Sequence, residues 1–371
     1  MSPFRLARYV LACLPHLYIW TVALFSVACA AAAWWVSLSS ELPPKIPGES
    51  LEMRYRADLI GQVAPVWIAL SVASLVLTIP VSRRTRWRRL SADAGRTVLA
   101  IASVAGFGLL WQTPRSPSGA KSESDVAFVV YNAWTLNEEP DRARSLLLAE
   151  DADVMGILEP GRLVEDLRQG GELAQRFPHF MLPPRARGAY RIIISRWPLL
   201  QGRGAWGDAW PEIRELSGPH GHRLAIVDRP AGAFVVMLVQ ARSPRDEHRW
   251  AVGHAQATTA ARLAAMTREL TGLPLVMLSD LNATPGSVRS RIVEDVGGLR
   301  RSKPWWLPAG TWPSNSVWPG MVAIDDAWAS PGVTRTGWKR LGSGGSDHHA
   351  ALITLGVPLG GRADGHVAAE R

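Results

Sequence analysis

The sequence predicts an α/β domain, with mixed sheets packed between helices, behind an N-terminal region of membrane-type helices. Three observations predict it. From residue 125 onward, short β-branched runs alternate with stretches of helical periodicity. Four strand or loop ends along that stretch carry polar clusters. The first third of the chain is dominated by long apolar runs and holds both cysteines, Cys13 and Cys29.

The apolar runs cover residues 9–38, 59–81 and 97–111. A membrane span needs about 20 such residues, so the third run, with 15, is the shortest candidate. Buried soluble helices are the other reading, or a signal peptide for the first run. That run exceeds the roughly 7–15 apolar residues of a signal sequence. Arginines orient the spans. Arg5 and Arg8 precede the first run, and Arg83, Arg84, Arg86, Arg88 and Arg89 follow the second. The loop between these runs is slightly acidic. Arginine-rich segments stay cytoplasmic. Three spans then place the C-terminal domain outside the cytoplasm, on a multi-pass cell-membrane protein, and two would place it inside.

The formal charge of +9 belongs mainly to this region. Residues 1–124 hold 13 basic and 6 acidic side chains, the remainder 28 and 26. The overall charge therefore says little about the substrate. With no cysteine after residue 29, a disulfide framework and cysteine-ligated zinc are excluded from the rest of the chain. Residues 112–124, rich in Pro, Ser and Gly, read as a linker. Residues 358–371 read as a loose tail.

Within 125–357 the elements follow in order. Val126–Val130 is a buried strand ending in Tyr131-Asn132. Asp141–Ala149 has helical spacing. Asp153–Leu158 is a strand with Glu159 at its end. Arg191–Ser195 is a third strand, and Leu224–Val227 with Phe234–Val239 a hairpin pair. Ala257–Thr271 is helical. Leu275–Leu278 is a strand running into Ser279-Asp280-Leu281-Asn282, and Ala350–Leu355 closes the set.

Asn132, Glu159, Asp280, Asn282, Asp347 and His348 form a donor set that suits a hard divalent metal and a phosphate ester. Each has a plainer reading alone. A strand-end Glu is usually solvated. Asp280 and Asn282, two apart, point to one side of a strand, or form an Asx-turn before Pro285. His348 needs a partner to fix its tautomer, and Asp325 can supply one. Seventeen tryptophans occur. Those at 305, 306, 312 and 318 stack bases, sit at a lipid interface or pack under loops.

The order Asn132, Glu159, Asp280-x-Asn282, Asp325, Ser346-Asp347-His348 resembles the endonuclease/exonuclease/phosphatase superfamily over about residues 125–357. The Ser-Asp-Leu-Asn-Ala-Thr-Pro and Gly-Ser-Asp-His elements are its specific parts. The resemblance implies a four-layer α/β sandwich of two mixed sheets and hydrolysis of phosphoesters with Mg²⁺ or Mn²⁺. It implies Glu159, Asn132 and Asp347 at the metal, Asp280 orienting water, Asn282 on phosphate, and His348 paired with Asp325. Gln240 and Trp312 join Asn282 as substrate-binding candidates. The expected partners are a phosphoester, nucleic acid or phospholipid, and the bilayer.

Two positions depart from the family pattern. Gln240 stands where a His is common, and glutamine carries no titratable proton. His254 and Arg242 are candidate substitutes. Asp326 stands where many members have His or an aromatic. A module that keeps the fold but only binds is the alternative that Gln240 raises.

Overall fold

The computed structural model describes residues 14, 17–32, 51–77, 86–111, 115–122, 124–182, 191–218, 220–304, 307, 309–316 and 322–359. It divides into two units. One comprises Met1–Gln112 with Pro285–Val288, the other Thr113–Thr284 with Arg289–Arg371.

In the first unit, helices α1 (Leu17–Ala32) and α3 (Ala64–Leu77) lie within the first two expected apolar runs, whereas α2 (Leu51–Gln62) runs largely over the charged loop expected between them, and α4 (Arg86–Trp111) takes in part of the arginine segment as well as the third run. Cys29 and Ala30 of α1 pack on Trp67 and Ile68 of α3, and Ile19 and Ala23 pack on Leu99 of α4. Among the described residues no single helix is long and apolar enough to cross a membrane. The run expected at 59–81 is not one straight rod. Helix Leu51–Gln62 and the Trp67–Ser74 part of α3 meet at a 58° bend. The ends of the run expected at 9–38, residues 78–81 of the run expected at 59–81, Arg83 and Arg84 of the arginine segment, and residues 360–371 of the tail lie outside the described residues, while Arg86, Arg88 and Arg89 fall in the first turn of α4.

Among the described residues, the second unit contains two six-stranded sheets. The first has β1 (Asp125–Asn132), β2 (Val154–Leu158), β3 (His179–Met181), β4 (Arg191–Ser195), β11 (Thr334–Arg340) and β12 (Ala351–Gly356). Their order is β11-β12-β1-β2-β4-β3. The second has β5 (Leu199–Leu200), β6 (Arg223–Val227), β7 (Phe234–Gln240), β8 (Leu275–Asp280), β9 (Arg300–Arg301) and β10 (Asp325–Ala329). Their order is β5-β6-β7-β8-β10-β9. Both sheets are mixed. β1–β2 and β7–β8 are parallel pairs, and the other pairs are antiparallel.

The inner faces interdigitate. Phe128, Val130, Val154 and Ile193 of one sheet meet Phe234, Val236, Leu238, Val276 and Leu278 of the other. The outer face of the first sheet packs on α5 (Pro140–Ala149), α6 (Leu163–Arg168) and α7 (Glu172–Arg176). The outer face of the second packs on α8 (Arg203–Trp206), α9 (Trp210–Ser217) and α10 (Glu247–Thr271). These four layers are the sandwich that the resemblance implied. α10 begins ten residues before the sequence pattern shows it. Asp246 caps it by accepting from the Arg249 amide (2.8 Å), and Gly272 ends it in the left-handed region.

One segment differs from the sequence reading. Part of the expected linker is docked. Arg115 bridges to Arg301, and Ser118 bridges to Arg335. Val357, the last residue of the expected domain, is fully buried. Strands β3, β5, β9 and β11 have no counterpart in the sequence reading. They are edge or sub-edge strands, short or polar, and β11 reads Thr-Arg-Thr-Gly-Trp-Lys-Arg.

Gly156, in mid-β2, lets the two sheets close up. A Cβ there would lie 2.7 Å from Leu238 Cδ1 and 2.9 Å from Leu278 Cδ1. Gly156→Val is expected to overpack this contact and destabilise the domain by about 1–3 kcal/mol in urea unfolding.

Candidate active site

Strand register builds the site at one end of both sheets. Gln240 lies beside Asp280 in the parallel β7–β8 pair, and Asp325 lies beside Asp280 in the antiparallel β8–β10 pair. Neighbours across strands share a face, so Gln240, Asp280 and Asp325 form a row. In the first sheet Asn132 is opposite Leu158, and Glu159 follows at once.

Hydrogen bonds join the two sheets. Asn132 Nδ2 donates to Asp280 Oδ2 (3.1 Å) and, more weakly, to Glu159 Oε1 (3.5 Å). Gln240 Nε2 donates to Glu159 Oε1 (2.6 Å), and Thr135 Oγ1 to Glu159 Oε2 (3.4 Å). Asp280 has no exposed surface. Its Oδ1 accepts from the Asn282 amide (2.8 Å), and its Oδ2 also accepts from Asn282 Nδ2 (3.2 Å). Asn282 is therefore turned back from the strand in an Asx-type turn, with its second side-chain N–H on the Ala241 carbonyl (3.0 Å). Both amide donors are engaged, so in this arrangement Asn282 acts on Asp280 rather than outward.

The imidazole is held from two directions. His348 Nδ1 lies 2.8 Å from Asp325 Oδ2. The His348 amide donates to Ser346 Oγ (3.0 Å), which itself donates to the Asn132 carbonyl (2.7 Å). Burial disfavours charge on His348. The carboxylates of Asp325, Asp280 and Asp347 outweigh it and raise the imidazole to about 10. The ring is then a cation at neutral pH, with Nδ1–H donating to Asp325. Burial, reinforced by Asp325, pushes Asp280 up to about 7, while His348, Asn282 and Asn132 oppose the shift.

Backbone strain concentrates here. Among the described residues, the non-glycine residues with positive φ are Trp134 (58°), Glu159 (47°) and Asn282 (48°). All three stand on loops of this cleft. Left-handed backbone costs about 1–2 kcal/mol per residue, and it persists where surrounding contacts over-determine it.

Asp347 and Trp312 lie beside the imidazole. Trp312 Nε1 donates to Asp347 Oδ2 (3.3 Å), and Asp347 Oδ1 is 4.0 Å from His348 Nε2. Asp347 Oδ1 and Asp325 Oδ1 are buried without a hydrogen-bond partner. Orphaned carboxylate oxygens are costly unless a cation meets them. Ligand atoms of Asp280, Asp325 and His348 all lie within 4.8 Å of one another, close enough to share an ion. The donors are mainly oxygens, which fits a hard divalent cation.

The structure thus draws Asn132, Glu159, Gln240, Asp280, Asn282, Asp325, Asp347, His348 and Trp312 into one contact network. Trp305, Trp306 and Trp318 lie outside the described residues. Asp326 points to the other face of β10. It pairs with buried Arg301 (2.8 Å) and accepts from Trp338 Nε1 (3.0 Å) and the Lys303 amide (2.9 Å). His254 is buried in α10 with its ring against Trp250 (5.4 Å between centroids). The Arg242 backbone is tied to Gln256 and Arg289. Sequence reasoning gave no role to Ser346 Oγ, Thr135 or Arg191. Arg191 opens a strand, where a charged residue reads as a solvated edge.

Residues 129–348 match the Endonuclease/Exonuclease/phosphatase family. The chain belongs to this family. Solved structures similar to it include an endonuclease/exonuclease/phosphatase from Beutenbergia cavernae, 19% identical, over 64% of this chain and 72% of that one, with a TM-score of 0.45. The human Nocturnin catalytic domain with bound sulfate is 11% identical over 64% and 97% of the two chains, with a TM-score of 0.47. A Staphylococcus aureus beta toxin mutant with bound magnesium ions is 10% identical over 62% and 99%, with a TM-score of 0.44. No curated protein matches the chain.

Asp326→Ala strips the partner from a buried guanidinium. It is expected to cost about 3–5 kcal/mol in chemical denaturation and to leave divalent-cation affinity unchanged in calorimetric titration.

Proposed function

We propose that this family member is a metal-dependent phosphoester hydrolase that cleaves a phosphodiester or phosphomonoester by attack of water. One observation carries the reading. A cationic imidazole fixed by Asp325 lies against a buried carboxylate able to take a proton, Asp280, which Asn132 bridges to Glu159.

Glu159, Asn132 through its Oδ1 and Asp347 through its orphaned Oδ1 would hold Mg²⁺ or Mn²⁺. Their hard oxygens suit such an ion. His348 fits poorly as a ligand, because a protonated imidazole offers no lone pair. A divalent cation in this place supplies charge neutralisation at the phosphoryl oxygens. Asp280, oriented by Asn132 and Asn282, accepts the proton of the attacking water as the new P–O bond forms and the ester P–O bond breaks. His348 Nε2–H donates to the phosphoryl oxygen on which charge grows. Gln240 holds Glu159 and has no proton to give, so the leaving oxygen takes its proton from solvent.

The substrate is a nucleic acid or a phospholipid, reached past Trp312. We place the protein at the cell membrane through its N-terminal apolar region, with the catalytic domain outside the cytoplasm. The apolar composition of 9–38, 59–81 and 97–111 and the arginine asymmetry support this. A C-terminal reporter active only in the cytoplasm contradicts the placement.

Purified protein with Mg²⁺ is expected to hydrolyse bis-p-nitrophenyl phosphate, plasmid DNA or phospholipid vesicles and to stop with EDTA. His348→Ala should lower kcat by about 10²–10⁴-fold. Turnover that EDTA and His348→Ala leave intact overturns the reading. No turnover, with the fold and cation binding intact, favours a binding module.

The pH profile gives a second check. The acidic limb follows protonation of Asp280, raised to about 7 by burial, because the general base must be ionised. The alkaline limb follows loss of the His348 proton near pH 10. In Asp325→Asn the strongest of the raising carboxylates is gone while burial remains, so the alkaline limb of kcat should move down towards the ordinary imidazole range, near 6.5.

A further inference from the structure

Arg191 stands at the start of β4, opposite Leu158 in the β2–β4 pair and so one residue from Glu159. Its guanidinium leaves the first sheet and reaches the second. Nη1 donates to the carbonyls of His220 and Gly221 (2.8 Å each), and Nη2 donates to the carbonyl of Gln240 (3.0 Å). The Nε is buried with no hydrogen-bond partner. Burial lowers the guanidinium to about 10, and Asp280 and Glu159 oppose that shift, so it remains charged at neutral pH. The loop is shaped to admit it. Gly221 has φ +65°, and a Cβ there would lie 2.6 Å from Arg191 Nη1.

The chain of contacts is short. Arg191 grips the backbone of Gln240, and the Gln240 amide meets Glu159 Oε1 at 2.6 Å. Glu159 itself sits in left-handed backbone, so its carboxylate direction depends on what holds it. A glutamine carries no titratable proton, so its contribution is orientation.

We propose that Arg191 is a positioning residue that sets the Glu159 carboxylate for a divalent cation by locking the Gln240 amide across the two sheets. The Arg191–Gln240 couple is then the outer support of the cation site. Such supports are worth about 10–100-fold in metal affinity. The inference rests on the proposed role of Glu159 at the metal. It goes further in assigning the guanidinium a purpose other than closing the β6 end of the sandwich.

The test is Mn²⁺ binding to the full chain, followed by titration calorimetry, with the activation constant for Mg²⁺ measured in parallel. Arg191→Met and Gln240→Ala should each weaken Mn²⁺ by at least tenfold, and the double variant should bind no worse than Gln240→Ala alone, because both act through one contact. KM for the phosphoester should stay nearly constant. Arg191→Lys, which keeps the charge and can meet the carbonyls, should recover part of the affinity. Independent, multiplicative losses overturn the inference, as does Mn²⁺ affinity unchanged in Arg191→Met. If Arg191→Met does not fold cooperatively, Gly221→Ala displaces the guanidinium without removing it. Mn²⁺ binding as tight as in the parent then overturns the inference. Glu159→Ala separates the two levels. If it leaves Mn²⁺ binding intact, the reading of the metal site fails and this inference with it. If it abolishes binding while Arg191→Met does not, this inference alone fails.

Discussion

A carboxylate with no exposed surface, Asp280, governs this site. A buried carboxylate must be met by donors, and the donors here come from both sheets. Asn132 arrives from the end of β1, and Asn282 folds back from the loop after β8. The two sheets are thereby joined at one end by side-chain contacts, in addition to the apolar core between them. The same carboxylate adds to the field that Asp325 imposes on the imidazole. His348 stays protonated because Asp325, Asp280 and Asp347 surround it, despite its burial. Strain, charge and satisfied hydrogen bonds coincide in one cleft, and this combination distinguishes a functional site from a polar strand edge.

The sandwich supplies what the cleft needs. Parallel pairing of β7 with β8 and antiparallel pairing of β8 with β10 deliver three polar residues in a row without any loop having to place them. Residues on paired strands are fixed more tightly than residues on loops, which suits chemistry that tolerates little displacement. The loop residues Asp347 and His348 are secured separately, through Ser346 Oγ on the Asn132 carbonyl and through Asp325. Position and charge at the imidazole therefore both trace back to the ends of β1, β8 and β10.

Much of this was legible from the residues. Strands β1, β2, β4, β7 and β8 are largely runs of Val, Ile, Leu, Phe, Ala and Met buried on both faces, β12 alternates buried with half-buried residues, and such runs are visible without any partner. The polar clusters at 132, 159, 280–282 and 346–348 were visible because they interrupt or follow those runs. Edge strands were not. β11 is polar, and its pairing with β12 depends on contacts that no local pattern records. Arg191 was missed for a related reason, since its three carbonyl partners lie 29 to 49 residues away. Asp326 could not be placed by sequence because neighbouring carboxylates on a strand face opposite ways, and only the structure shows which one meets Arg301. The proline- and serine-rich stretch before β1 looks like a linker by composition, yet its backbone finds partners on β9 and β11.

In the proposed site one cation sits among Glu159, Asn132 and Asp347, and His348 is left free to donate a hydrogen bond to the phosphoryl oxygen. Anomalous scattering from a crystal soaked in Mn²⁺ addresses it directly. The account predicts a single strong peak bounded by those three side chains, with His348 Nδ1 still on Asp325. A peak coordinated instead by Asp280, Asp325 and the imidazole, or no peak in the cleft at all, would contradict it.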